Sequence, residues 1–414
     1  MPPTGLTRSE AEALDAADEL AAARGEFLLP EGVVYLDGNS LGALPRRATE
    51  RLHDVVEREW GRDLIRSWNG NGWIDLASRV AGLLAPLVGA SADEVAVADS
   101  TSVNVFKLLA GGLRLRPGRR VILSEEANFP TDLYVAQGLT RLLGDTELRL
   151  VPRDGLPAAL GEDVAVLLLT HVDFRTGEIH DMAGLTRAAH DAGALVLWDL
   201  AHSAGAVPVD LDACEADLAV GCGYKYLNGG PGAPAFAFVA RRWHEVFETP
   251  LAGWMGHASP FAFDTRYEPA PGVARLLCGT PPVLSLAALE CGVETVARAG
   301  IARLRRKSVA LTDLFVRLVE QECGAFGFTL ASPREAERRG SQVSLRHPEG
   351  YAIVQALISR GVVGDFRTPD VLRFGFAPLY LRFADAWDAV ATLRAVMENH
   401  EWQLPEHRAR GRVT

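Results

Sequence analysis

The chain has 414 residues, 48% of them hydrophobic, with a net charge of -11 and a pI near 5.5. That length supports a large core split over two domains, and the acidic balance excludes a nucleic-acid or anionic-membrane surface, which needs a basic face. Five scattered cysteines with no Cys-x-x-Cys pair fit reduced thiols rather than disulfides or a metal site, and no apolar run is long enough to cross a bilayer.

Thr7-Arg8-Ser9-Glu10 reads as a capping box opening an alanine-rich helix to about Ala23. The start lacks the apolar segment of a signal peptide, and its acidic residues argue against a transit peptide, so a soluble cytoplasmic protein is expected. Apolar runs follow at 95–98, 120–123, 147–151, 164–170, 195–200, 218–221 and 234–239, most of them continuous, as in strands covered on both faces. Helix-period segments such as 182–192 separate several of them. This alternation predicts a mainly parallel sheet flanked by helices, with ligands beyond the carboxyl ends of its strands.

From about Cys278 the texture changes. Pro281-Pro282 leads into one long helical stretch, from Val283 to about Glu322, in which Arg303-Leu304-Arg305-Arg306-Lys307 reads as a solvated face. Strands are expected at 342–346, 362–366 and 371–376, with helices at 351–360 and 383–398. The expected division is an N-terminal arm and helix (1–45), a large domain (46–282) and a small α+β domain (283–414) completed by the arm.

Lysine is scarce. Of 42 basic residues only Lys107, Lys225 and Lys307 are lysines, and Lys225 stands inside Gly223-Tyr224-Lys225-Tyr226-Leu227-Asn228-Gly229-Gly230-Pro231-Gly232. Arginine supplies charge but cannot lose a proton near neutrality or form an imine, and lysine can do both. A pyridoxal phosphate (PLP) Schiff base leads the sites that need such an amine. Asp199 closes the run before it and is followed by His202. A carboxylate there can keep the pyridine nitrogen of PLP protonated, although alone it also reads as a helix N-cap, and His202 as a satisfied buried imidazole. Asp99-Ser100-Thr101-Ser102 offers hydroxyls and a helix start to a phosphate, or equally an ordinary cap. Phe129 and Asp132 offer a ring to stack and a carboxylate, or a core residue beside a turn proline.

These strings resemble kynureninase, within the fold type I (aspartate aminotransferase-like) PLP enzymes. The resemblance rests on Tyr35-Leu36-Asp37-Gly38-Asn39-Ser40-Leu41-Gly42, Asn128-Phe129-Pro130-Thr131-Asp132 and Thr170-His171-Val172-Asp173-Phe174-Arg175-Thr176-Gly177. It continues through Trp198-Asp199-Leu200-Ala201-His202-Ser203, the Lys225 string, Gly253-Trp254-Met255-Gly256-His257, and the stretch from Gly364-Asp365-Phe366-Arg367 to Val371-Leu372-Arg373-Phe374-Gly375.

The resemblance implies that Lys225 carries PLP as an imine, that Asp199 pairs with the pyridine nitrogen and that Phe129 stacks on the ring. Thr101, Ser102, Asp132, Thr170, His202 and Tyr224 complete the cofactor shell, with Trp254 and Thr280 reaching the phosphate from the partner subunit of a homodimer. Arg373 would clamp the substrate α-carboxylate, as guanidinium does in bidentate fashion, or else form a surface ion pair; Ser40 and Asn39 lie with it. Trp60, Trp68 and His257 are placed near the aryl pocket, and Cys278-Gly279-Thr280 looks like the bacterial form, which favours unsubstituted kynurenine. The implied reaction, in tryptophan degradation, is hydrolysis of the Cβ–Cγ bond of L-kynurenine to anthranilate and L-alanine, with 3-hydroxykynurenine a second candidate substrate. Lys225 would serve as base and Tyr224 as proton relay.

Two other readings compete. One is a different fold type I PLP enzyme, such as a cysteine desulfurase, but no cysteine lies in a Gly/Ser-rich loop and Cys323 ends a helix. The other is a PLP-fold protein without catalysis, against which the intact Asp199, His202, Tyr224, Lys225 and Arg373 set counts. A dinucleotide enzyme is excluded, because no Gly-x-Gly-x-x-Gly follows the first strand.

Overall fold

The computed structural model describes residues 6–411. The first helix, α1 (Arg8–Ala16), opens on the expected capping box: Thr7 accepts from the Glu10 amide, and its own amide donates 2.7 Å to Glu10 Oε2. It ends earlier than expected, and a separate 3₁₀ turn follows at Ala21–Glu26.

All seven expected runs form one sheet. Its strands are β1 (Val95–Val97), β2 (Val121–Glu125), β3 (Glu147–Val151), β4 (Val164–Thr170), β5 (Leu195–Asp199), β6 (Leu218–Gly221) and β7 (Phe236–Val239). Their spatial order is β1-β7-β6-β5-β4-β2-β3, and only β7 runs against the rest. Continuous apolar runs suit the inner strands because each side chain alternates between two covered faces. In β5, Val196 and Trp198 enter one core and Leu195 and Leu197 the other. Helices α2 (Thr101–Arg114), α3 (Pro130–Leu143) and α4 (Met182–Asp191) connect the strands.

The expected single helix after Val283 is two, α5 (Val283–Ala299) and α6 (Ile301–Cys323), broken at Gly300 with φ 79°. That left-handed conformation suits glycine and ends the first helix. The basic run on α6 is only partly a solvated face. Leu304 and Lys307 are buried, Lys307 pairs with Asp18 at 2.7 Å, and Arg305 donates to the Arg339 carbonyl at 2.8 Å. The partners come from residues far away in the chain, which a local charge pattern does not reveal.

A second, four-stranded antiparallel sheet runs in the order β8-β9-β11-β10, from β8 (Thr329–Leu330), β9 (Gln342–Arg346), β10 (Asp365–Arg367) and β11 (Val371–Gly375). Helix α7 (Gly350–Ser359) packs on it, and α8 (Phe383–Glu398) packs against α1, α6 and α7. The expected strand at 362–366 is divided: Val362–Val363 pairs in parallel with Val34–Tyr35 of the N-terminal arm, while Asp365 begins β10. Asp15 accepts from the first amides of α8, at 2.6 Å from Phe383 and 3.0 Å from Ala384. The arm then crosses to the large sheet, where the Gly42 amide donates 2.8 Å to the Tyr224 carbonyl. A Cβ on Gly42 would stand 2.3 Å from the Lys225 carbonyl oxygen, so only glycine lets the arm lie this close.

Candidate active site

The carboxyl ends of β1, β2, β4, β5 and β6 lie on one edge of the large sheet, and the segments leaving them supply the candidate residues. Thr170 ends β4 and stands beside Asp199, the last residue of β5. The Lys225 turn leaves β6, and its Tyr226 hydroxyl donates 2.9 Å to the Ser341 carbonyl, fastening the turn to the second sheet. Asn228 in the same turn takes φ 55°, a left-handed conformation that asparagine tolerates better than most residues.

Lys225 Nζ lies 3.0 Å from His202 Nε2 and 5.9 Å from the centre of the Phe129 ring. His202 is buried, and burial, with Lys225 adding to it, holds its pKa well below the ordinary histidine value, so the imidazole is neutral at neutral pH. Asp132 and Asp199 are both buried and interact directly. Burial and the adjacent Asp199 carboxylate push Asp132 well above the usual carboxyl range; burial also raises Asp199, opposed by Lys225. Burial keeps the Tyr224 phenol protonated far above neutrality.

Among the described residues, the buried polar atoms in this region without a partner include Asp132 Oδ2, His202 Nδ1 and Thr101 Oγ1. Buried groups are rarely left so, and each unpaired one costs about 1–3 kcal/mol. A flat heteroaromatic cation with an anionic tail suits two of them, Asp132 Oδ2 and Thr101 Oγ1. Its ring nitrogen would relieve the paired acids, its face would lie on Phe129, and its tail would meet Thr101. Helix α2 begins there with Ser100 as N-cap, accepting from the Val103 amide at 3.3 Å. Ser100, Thr101, Ser102 and Tyr224 line one cavity of about 620 Å³. The residues present therefore fit PLP.

Arg373 is 2% exposed and lies on β11 opposite Asp365 of β10. Its Nε donates to Asp365 Oδ1 at 2.6 Å, Nη2 to Ser40 Oγ at 3.0 Å and Nη1 to the Phe174 carbonyl at 2.5 Å. The Phe174 ring meets that of Phe129 edge to face, with centroids 5.2 Å apart, so the guanidinium is linked by two residues to the ring beside Lys225. Arg367 adds a second cation, 2.7 Å from Asp365. Burial and Asp365 push the neighbouring Asp37 up to about 7. Asn39 is fully buried, and its Nδ2 donates 3.2 Å to Gln342 Oε1.

Comparison with known proteins decides the family of the chain. The chain is 56% identical to kynureninase of Burkholderia mallei (strain SAVP1), over 99% of this chain and 100% of that protein. It is 54% identical to kynureninase of Pseudomonas fluorescens over the same shares. The chain belongs to the kynureninase family. A family model described as the kynureninase C-terminal domain matches residues 304–393 of this kynureninase-family chain. Among solved structures, a cysteine desulfurase from Thermococcus onnurineus NA1 superposes with a TM-score of 0.77 at 18% identity, covering 91% of this chain and 98% of its own. A mutant of C-DES with glycine covalently linked to its PLP cofactor gives 0.78 at 19%, covering 90% and 98%. At such identities the likeness speaks for the fold type I architecture.

The fold brings Lys225, Tyr224, His202, Asp199, Asp132, Thr170, Phe129, Thr101 and Ser102 to one sheet edge, and Arg373 to Ser40. Trp254 and Thr280 do not line the cavity shared by Tyr224 and Thr101. Trp254 instead stacks edge to face with Trp68 at 6.4 Å and, with His257, lines a separate cavity of about 370 Å³; Thr280 is exposed, and Trp60 is 56% exposed. Sequence reasoning passed over two supports. Asn128 Oδ1 accepts from the Thr170 amide at 3.0 Å and from its hydroxyl at 2.5 Å. Asp365 holds Arg373, and its signal was a carboxylate eight residues before the arginine, the spacing of a tight strand pair.

Proposed function

We propose that this chain is a PLP-dependent hydrolase that cleaves the Cβ–Cγ bond of L-kynurenine with water, giving anthranilate and L-alanine. Family membership supports the reaction. The observation that carries the residue assignment is the Lys225 amine 3.0 Å from a neutral His202, beside the buried Asp132 and Asp199 pair. Lys225 would hold the cofactor, with Asp199 at its ring nitrogen, Asp132, Thr170 and His202 around the ring, Phe129 on its face and Thr101 and Ser102 at its phosphate. Bound there, PLP supplies an electron sink for the negative charge that develops at the substrate α-carbon.

Arg373 binds the substrate α-carboxylate, with Ser40 beside it and Asn39 bracing the arm. Lys225, once free, removes the α-proton; the neutral His202 next to it accepts a hydrogen bond from the amine and competes for no positive charge. Tyr224, protonated at rest, donates its phenolic proton to the γ-carbonyl oxygen as water adds to the γ-carbon, and takes it back as the adduct collapses and the carbon–carbon bond breaks. In this reading two copies assemble with the site at their interface, and Trp254 and Thr280 serve the neighbouring copy, which accounts for their absence from the lining of the Thr101 cavity. Unsubstituted kynurenine is the preferred substrate, 3-hydroxykynurenine the second. The units are 1–45, 46–282 and 283–414.

The test is reduction of the holoenzyme with borohydride and peptide mapping, together with anthranilate fluorescence during turnover of kynurenine. A reduced cofactor tag on Lys225 with anthranilate release supports the assignment. A tag elsewhere, or no anthranilate, overturns it.

A further inference from the structure

Lys107 is fully buried on α2, two turns into the helix whose first residues line the site. Its Nζ donates to the Asp99 carboxylate and, at 2.5 Å, to the carbonyl of Leu276. A buried ammonium is costly unless it is paired and hydrogen-bonded, and here it is both. A compact head with three donors serves two acceptors from different directions, which the flat arginine fork does poorly. In so arginine-rich a chain, that geometry accounts for a lysine at this position.

The two acceptors belong to two separate segments, the turn that opens α2 and the chain that runs on from Leu276. Asp99 has φ 52°, a left-handed conformation that costs a non-glycine residue on the order of 1–3 kcal/mol and persists only where surroundings enforce it. Its carbonyl accepts from the Ala235 amide at 2.9 Å, and Asn104 Nδ2 donates 2.9 Å to the preceding carbonyl of Ala98. Ser100, Thr101 and Ser102 follow at once, so the Asp99 conformation sets where the opening amides and hydroxyls of α2 point. Leu276 leads into the strap of Cys278 and Thr280. The Met255 amide donates 3.3 Å to the Cys278 carbonyl, and Gly253 packs so closely that a Cβ would stand 2.1 Å from that oxygen.

We infer that Lys107 is a positioning residue for the phosphate of the cofactor: through Asp99 it aims the start of α2, and through Leu276 it ties that turn to the strap of Cys278 and Thr280. It does not touch the phosphate. The inference rests on the reading of the site as a PLP site, and the experiment separates the two.

Apoenzyme of the wild type, Lys107→Met, Asp99→Asn and the double variant is titrated with PLP and with pyridoxal, which has the same ring and aldehyde but no phosphate. Each single variant should bind PLP roughly tenfold more weakly, the loss of about one charge-assisted hydrogen bond, while pyridoxal affinity stays within about twofold. The double variant should lose no more than the weaker single one, since both act by one route. Equal losses for the two ligands would mean general destabilisation, and unchanged PLP affinity or multiplying losses would mean no shared route; each overturns the inference. Should Lys107→Met not fold, the PLP-to-pyridoxal ratio for Asp99→Asn, whose side chain is 30% exposed, decides alone. A wild type that binds no PLP overturns the site reading itself.

Discussion

Asp365 and Arg373 sit directly opposite each other on antiparallel strands, and the carboxylate takes both Nε and Nη2 of the guanidinium, with Nε at 2.6 Å. The arginine is thus fixed before any ligand arrives, with its remaining contacts turned to Ser40 and the Phe174 carbonyl. Pre-orientation lowers the ordering cost of binding a carboxylate.

Replacing Asp365 with Asn keeps the shape and removes the charge. KM for kynurenine should rise on the order of tenfold with a smaller change in kcat, since the contact concerns binding in ground and transition states alike. Steady-state rates measure both; an unchanged KM would assign the orientation of Arg373 to Ser40 and Phe174 alone.

Substitution of Lys225 by Ala should abolish turnover, because among the described residues no other amine stands beside His202 and the acid pair. Anthranilate release by that variant at a rate comparable to the wild type would exclude Lys225 as the base.

Tyr224→Phe should retain bound cofactor, seen in its absorbance, while kcat drops by about 10²–10⁴, the usual contribution of a positioned proton donor. A variant of normal rate hands the relay to water.

Acid should destabilise the apoenzyme through its buried histidines. Burial, then His180, holds His171 down at about 3, whereas an unfolded histidine titrates near 6.5. Below 6.5 the unfolded chain binds the extra proton, so stability is full above that pH and falls toward pH 3, by up to about 1.4 kcal/mol per pH unit. The raised carboxyls of Asp132 and Asp199 act in the opposite sense, so the quantity to measure is the difference between wild type and His171→Asn. Urea midpoints from pH 7 to 5 should fall more steeply for the wild type; parallel slopes would show that His171 does not contribute.

Six of the seven strands of the large sheet were legible as short apolar runs, because burial on both faces writes itself into consecutive residues; the edge strand β3 alternates Glu147, Leu148, Arg149 and Leu150 and is only partly buried. The exception in the small sheet is instructive. Residues 362–366 look like one strand, yet Val362–Val363 pairs with the N-terminal arm and Asp365 with Arg373. Locally only Gly364 separates them, and a lone glycine in a strand pattern does not say which partner claims each half; packing chooses that. Helix ends at Ala16 and Gly300 were likewise misjudged where a turn interrupts residues of good helical propensity.

By itself the sequence determined the chemistry on offer: one amine in a glycine-rich turn, a carboxylate at a strand end, hydroxyls at a helix start. Residue types and short spacings carry that information. Only the tertiary structure decided the company each group keeps, such as Lys107 between Asp99 and Leu276, or Ser40 against Arg373 from 333 residues away. Those contacts follow from how sheets and helices pack, and packing depends on the whole chain at once.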